Sequence, residues 1–186
     1  LKNAGDSPVV IEVTSYFEVV IAPQQADIAH PAFGNLFVET SFDRRNRCII
    51  ACRRPRSDTD KTIWLANTAV AEGELVGSIR FETDRLNVIG RARDVKNPAL
   101  TEPGKLFANT VGPVLDPVMC IRAKMNIGTG DTAVISFITA ISDSGEQLIN
   151  LMNKYGKPEA IESAFMLAFA GSLVETRYFG ASRADI

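Results

Sequence analysis

Histidine and tryptophan occur once each in these 186 residues, and cysteine three times. One imidazole among three scattered thiols has the spacing of neither a zinc site nor a nucleophile with its base, so no metal and no cofactor is expected. His30 reads as a structural loop histidine. Three cysteines cannot all pair. Cys48 and Cys52 on one strand would stand about 13 Å apart, beyond the roughly 7 Å that a disulfide tolerates. Reduced thiols are the expectation, and with them a cytosolic or redox-neutral setting. No run approaches the ~18 apolar residues of a membrane span, no cleavable signal opens the chain, and no Asn-x-Ser/Thr acceptor occurs. A soluble piece without direct membrane contact is expected. Charge of one sign is lacking too: 22 acidic against 20 basic residues leave −2, which gives nucleic acid no electrostatic footprint.

What is present is core material. A hydrophobic content of 46% suffices for one globular domain. From Val9 to Ile21, Ile11, Val13, Phe17, Val19 and Ile21 alternate with Glu12, Thr14, Tyr16 and Glu18, the period of a strand with one buried face. Leu1-Lys2 before Asn3-Ala4-Gly5-Asp6 reads as the last residues of a strand entering a turn, its upstream part lying outside the chain. Residues 26–35 read as a loop around His30-Pro31 and Gly34. Leu36–Phe42 and Arg47–Arg53 read as a hairpin turning at 43–46, and residues 62–70 and 77–83 as two more strands. Between Asp84 and Val114 the periodicity fades among prolines and glycines. Such a length of chain is an ordered excursion, functional or packed on a neighbour. Residues 118–127 and 132–141 read as an antiparallel pair joined at Gly128-Thr129-Gly130-Asp131, with Met119, Ile121, Ala123, Met125 and Ile127 on one face.

Helical signals begin only then. Ser144 with Gln147 three residues on is a capping box, Leu148, Leu151, Met152 and Tyr155 follow at helical spacing, and Gly156 closes the helix. A second helix starts with Pro158 in its first turn, carries Glu159 and Glu162 near its N-terminus, and is expected to stop at Gly180. Between Ala164 and Val174 its only non-apolar residues are Gly171 and Ser172, and a helix apolar nearly all round needs cover on most sides. The fold class is mainly β, an antiparallel β-sandwich followed by two C-terminal helices, divided as 1–142 and 143–186.

No catalytic residue emerges. Glycoside hydrolysis needs two carboxyls roughly 5 to 9.5 Å apart, whereas Glu12 and Glu18 on one strand face stand about 20 Å apart. Glu82 and Asp84 at a strand end come within about 7 Å, with Arg85 beside them, a set that suits a sugar hydroxyl or an anion as well as a solvated strand end. Arginines 44, 45, 47, 53, 54 and 56 form the one basic concentration, and a hairpin would gather several at a common edge. They are able to meet phosphate, or to pair with Asp43, Asp58 and Asp60 as surface charge runs usually do. Trp64 and Tyr16 are sugar-stacking platforms or core aromatics. Candidate carbohydrate or anion contacts are therefore Arg53, Arg54, Arg56, Glu82, Asp84, Arg85 and Trp64.

The words His30-Pro31-Ala32-Phe33, Leu36-Phe37-Val38-Glu39-Thr40, Arg53-Arg54-Pro55-Arg56-Ser57, Glu82-Thr83-Asp84-Arg85 and Thr110 to Pro117 together resemble glycoside hydrolase family 94, formerly glycosyltransferase family 36. The particular HPAF and RRPRS wording is more similar to its cyclic β-1,2-glucan synthase branch than to cellobiose phosphorylase. The resemblance implies the later part of a galactose mutarotase-like supersandwich, with linker helices leading to an (α/α)6 barrel that holds the catalytic aspartate and phosphate ligands and lies outside this chain. It implies non-catalytic roles: supporting the barrel, dimer contact and holding β-glucan or oligosaccharide. It also implies a bacterial parent that makes or phosphorolyses β-glucans, associated with the inner membrane, with this part on the cytoplasmic side. A free-standing carbohydrate-binding module and a structural dimerisation domain are the alternatives.

Overall fold

The computed structural model describes residues 1–57 and 60–178. In chain order the elements are β1 (Val9–Glu18), α1 (Gln24–Ala29), α2 (Pro31–Asn35), β2 (Val38–Asp43), β3 (Cys48–Arg53), β4 (Ile63–Glu72), β5 (Glu74–Leu75), β6 (Arg80–Asp84) and α3 (Arg85–Val88). After a 3-10 turn at Ala99–Thr101 come β7 (Gly112–Pro113), β8 (Pro117–Ile127), β9 (Val134–Ser142), α4 (Gly145–Tyr155) and α5 (Pro158–Tyr178).

All strand pairings are antiparallel and fall into two sheets. One centres on β8, with β1 on one side and β5 and β6 on the other; the second runs β7-β2-β3-β4-β9. Alternation decides what faces what. Met119 and Ile121 of β8 meet Ile49, Ala51, Leu65, Ala69 and Phe81 between the sheets, and Met125 and Ile127 meet Ala133 further along. The other face of β8 is buried as well. Val118 and Cys120 pack under Val88, Ile89, Leu100 and Phe107 of the excursion, which Arg122 ties down: its guanidinium lies 4.6 Å from the Phe107 ring and donates to the Leu100 carbonyl at 2.8 Å. Likewise Cys48 and Ile50 of β3 face outward onto Leu148 and Met152 of α4. Strands covered on both faces read as continuous apolar runs, which explains the Cys-Ile-Ile-Ala-Cys word. Each large side chain so buried contributes roughly 1.5–3 kcal/mol.

Helix α4 is set by its ends. Ser144 Oγ accepts the Gln147 N–H at 3.4 Å, and the Gly156 N–H donates to the Met152 carbonyl at 2.9 Å. The Gln147 side chain does not close the box on Ser144. It accepts from the Ser142 hydroxyl at 3.3 Å, and Ser142 Oγ takes the Ser144 N–H instead. A Cβ on Gly156 would stand 2.6 Å from the Met152 carbonyl oxygen, so only glycine lets the chain leave α4 here.

Three expectations are corrected. Residues 24–35 are not plain loop but two short helices, Pro31 in the first turn of the second, where its missing N–H costs nothing. β8 and β9 do not pair: β8 bonds to β1, β5 and β6, and β9 to β4, across the sandwich. The apparent hairpin turn crosses between sheets, its backbone engaged by the first residues of the chain. The Asn3 N–H donates to the Asp131 carbonyl, the Gly130 N–H to the Asn3 carbonyl, and Leu1 and Ala133 exchange two bonds. Finally, the arginines do not share an edge. In the β2–β3 register Arg53 lies opposite Val38, while Arg44, Arg45 and Arg47 sit at the turn, six or more residues and about 20 Å away along the strand.

The 21-residue helix α5 has no buried residue, as a helix without a polar face and without cover should. Its expected stop at Gly180 lies outside the described residues. Among the described residues no helix is long and apolar enough to cross a membrane.

Candidate functional site

One end of the sandwich gathers the words that carried the resemblance. The end of β1, helices α1 and α2, the starts of β2 and β8 and the ends of β3 and β6 all meet there. Glu18, last residue of β1, takes the Tyr16 hydroxyl and Arg85 Nε on one carboxylate oxygen, both at 3.0 Å. Burial first, then the hydrogen bond to Glu18, pushes the Tyr16 phenol up to about 12. The Glu18 hydrogen bond raises Arg85 in turn. The Arg85 N–H donates to the Asp116 carbonyl at 3.0 Å, and Asn35 Nδ2 donates to Asp116 Oδ1 at 2.8 Å. Glu18, Asp27, Asn35 and Asp116 thus frame a cleft of about 300 Å³ with an apolar floor from Val20, Pro31 and Pro117.

Its neighbours divide the candidate contacts. Glu82, paired in the sequence reading with Asp84, is fully buried. Its carboxylate accepts the backbone N–H groups of Thr83, Asp84 and Ala108 at 3.0–3.2 Å. It holds the excursion to β6 and offers nothing to a surface ligand. Asp84 caps α3 through the Leu86 N–H at 2.9 Å. Of that trio Arg85 alone serves the cleft, by fixing Glu18. Trp64 lies away from the cleft: half-buried, it packs against the cluster under α4, with Gly145 close enough that a Cβ there would come within 3.3 Å of its ring.

The second arginine group stays together. Arg56 lies 5.2 and 5.4 Å from the rings of Phe33 and Phe37, which meet edge to face at 5.3 Å, and its N–H donates to Asp60 at 3.1 Å. Arg54 reaches the Leu36 carbonyl at 3.4 Å. Arg53 is 5% exposed; its Nη1 approaches Asp60 only to 3.8 Å, and among the described residues its Nε has no hydrogen-bond partner. It lines a small hollow beside the cleft, sharing Val20, Asp27 and Asn35 with it. Asp43, the other expected partner, instead closes the hairpin turn through the Arg45 N–H and Asn46, and Asp58 lies outside the described residues.

Sequence reading missed Asp27, Asn35 and Asp116 as site residues. They lie up to 89 positions apart, in segments without period, and the one local signal was a polar residue beside proline, as in Asp116-Pro117. A second feature, an apolar groove of about 740 Å³, runs between β9, α4 and α5 and includes Phe137, Ile138, Leu151, Tyr155, Ile161 and Phe165. Among the described residues no group of three or more metal-binding side chains occurs.

Two antiparallel sheets face to face, with a helix packed on one outer face and a second helix leaving it, define a β-sandwich module with a helical C-terminal extension. The chain belongs to glycosyl hydrolase family 94: the profile of that family's supersandwich domain matches residues 1–158. Over 180 residues it is 30% identical to the cyclic beta-(1,2)-glucan synthase NdvB of Rhizobium meliloti (strain 1021), an alignment that covers 97% of this chain and 6% of that protein. The chain therefore spans only a small part of the relative's length.

Proposed function

We propose that this sandwich is the non-catalytic support of a bacterial enzyme that makes or phosphorolyses β-glucans, presenting a helical surface to a catalytic barrel, contributing a dimer contact and holding glucan near the chemistry. The observation that carries the reading is α5. Phe165, Met166, Leu167 and Val174 are 66–73% exposed, and α5 flanks the apolar groove along β9. An isolated chain bears the cost of leaving those side chains in water, roughly 1.5–3 kcal/mol each, which a docked domain relieves. Three free thiols, two of them buried, fit a module on the cytoplasmic side.

Light scattering of the full chain beside a version ending at Gly156 tests this. The full chain is expected to self-associate and to bind an apolar dye, and the shortened one to remain monomeric and dye-free. A monomeric full chain without dye binding would remove the support for a docking surface.

A further inference from the structure

The cleft at the loop end carries an inference that rests on the glucan-holding reading and goes further. Its polar wall is built of acceptors. Glu18 uses one carboxylate oxygen for Tyr16 and Arg85, and Asp116 one for Asn35. Glu18 and Asp116 are exposed and Asp27 is half-buried, and a carboxylate has about four acceptor sites, so all three line the cleft with acceptor capacity to spare. Such a wall suits a ligand with several donors, either a neutral polyol or a cation such as a lysine side chain.

Two observations favour the polyol. Val20, Pro31 and Pro117 supply an apolar surface for the C–H face of a ring, in a space of about 300 Å³, at the lower bound of ordinary ligand pockets. Behind it stands Arg53, more than nine-tenths buried, with its Nε unpartnered, lining the hollow of about 10 Å³ that shares Asp27 and Asn35 with the cleft. That hollow has room for about one water. A buried guanidinium repels a second cation, and through a water in that hollow it offers a donor to a hydroxyl oxygen in the adjoining cleft. A sugar hydroxyl both donates and accepts, whereas an ammonium only donates.

We propose that this cleft is a subsite for one glucosyl ring of a β-glucan, its hydroxyls donating to Glu18, Asp27 and Asp116 and its C–H face resting on Pro31 and Pro117. The test is an NMR titration of the full chain with sophorose, and separately with N-acetyl-lysine amide, on wild type, Asp27→Ala and Asp116→Asn. Asp116→Asn keeps an oxygen for Asn35, so it answers the question even where Asp27→Ala disturbs α1. Sophorose is expected to shift Val20 and Asn35 in the wild type, and either variant to bind it about tenfold more weakly with an unchanged melting temperature. Sophorose binding that leaves Val20 and Asn35 unmoved, or is as tight in both variants as in the wild type, overturns the subsite while leaving glucan holding elsewhere on the module intact. No sophorose binding, or binding of the lysine compound in its place, overturns the subsite and the holding role together, and the docking role is then judged by light scattering alone.

Discussion

At the scale of single residues, polar groups buried in the sandwich do structural work that their exposed neighbours do not. Glu82 is the clearest. Three backbone N–H groups converge on its carboxylate, one from the excursion at Ala108, and in Glu82→Gln the amide NH2 would face a donor. Stability is expected to fall by about 1–3 kcal/mol, read as a lower urea midpoint; an unchanged midpoint would mean that the excursion does not depend on this carboxylate. The thiols give a pH dependence. Burial pushes Cys48 and Cys120 from 9.0 up to about 12, so the folded chain binds these protons more tightly than the unfolded one. Their contribution is intact below pH 9 and is lost as pH rises from there towards 12. Urea midpoints at pH 7 and pH 10 should show the loss, smaller in Cys120→Ala; an equal loss in that variant would assign it to other groups. The buried carboxylate was legible in the sequence only as a residue near Asp84 and Arg85, because a three-residue word does not say which side chain the sheet turns inward.

At the scale of elements, local signals were read well wherever one stretch of chain contains all the partners. The alternation of β1, the β2–β3 hairpin and the Ser144 and Gly156 ends of α4 are of that kind. Pairing across the sandwich is not. Period two in residues 118–127 and 134–142 states which side chains share a face, and it is silent on whether the neighbouring strand is the next in sequence. Leu1 to Asn3, more than a hundred residues away, take the backbone groups that a hairpin turn would have used. Helix α4 is expected to be the element that seals the outer face of the second sheet. Leu148 is fully buried between Cys48, Ile50 and Ala66, and Leu148→Ala should cost about 2–5 kcal/mol. Thermal melts check this, and a shift of less than about 2 °C in Tm would place α4 outside the cooperative unit.

At the scale of the whole molecule, the chain divides its surface between a polar cleft at the loop end and an apolar groove along β9 and α5. The resemblance words pointed to the family, and the fold shows why they are spread through the sequence. Pro31 and Ala32, Arg85, and Asp116 and Pro117 come from three separate connections that meet at one end of the sandwich, a convergence no window of sequence displays. Among the described residues neither surface pairs a nucleophile with a base, and the role proposed for the module is to hold and position rather than to catalyse. The most direct measurement is a phosphorolysis assay of the pure full chain on sophorose and cellobiose, following phosphate-dependent release of glucose 1-phosphate. The account predicts none above a no-protein control. Release that a single substitution within this chain abolishes, Asp116→Asn for instance, would contradict it.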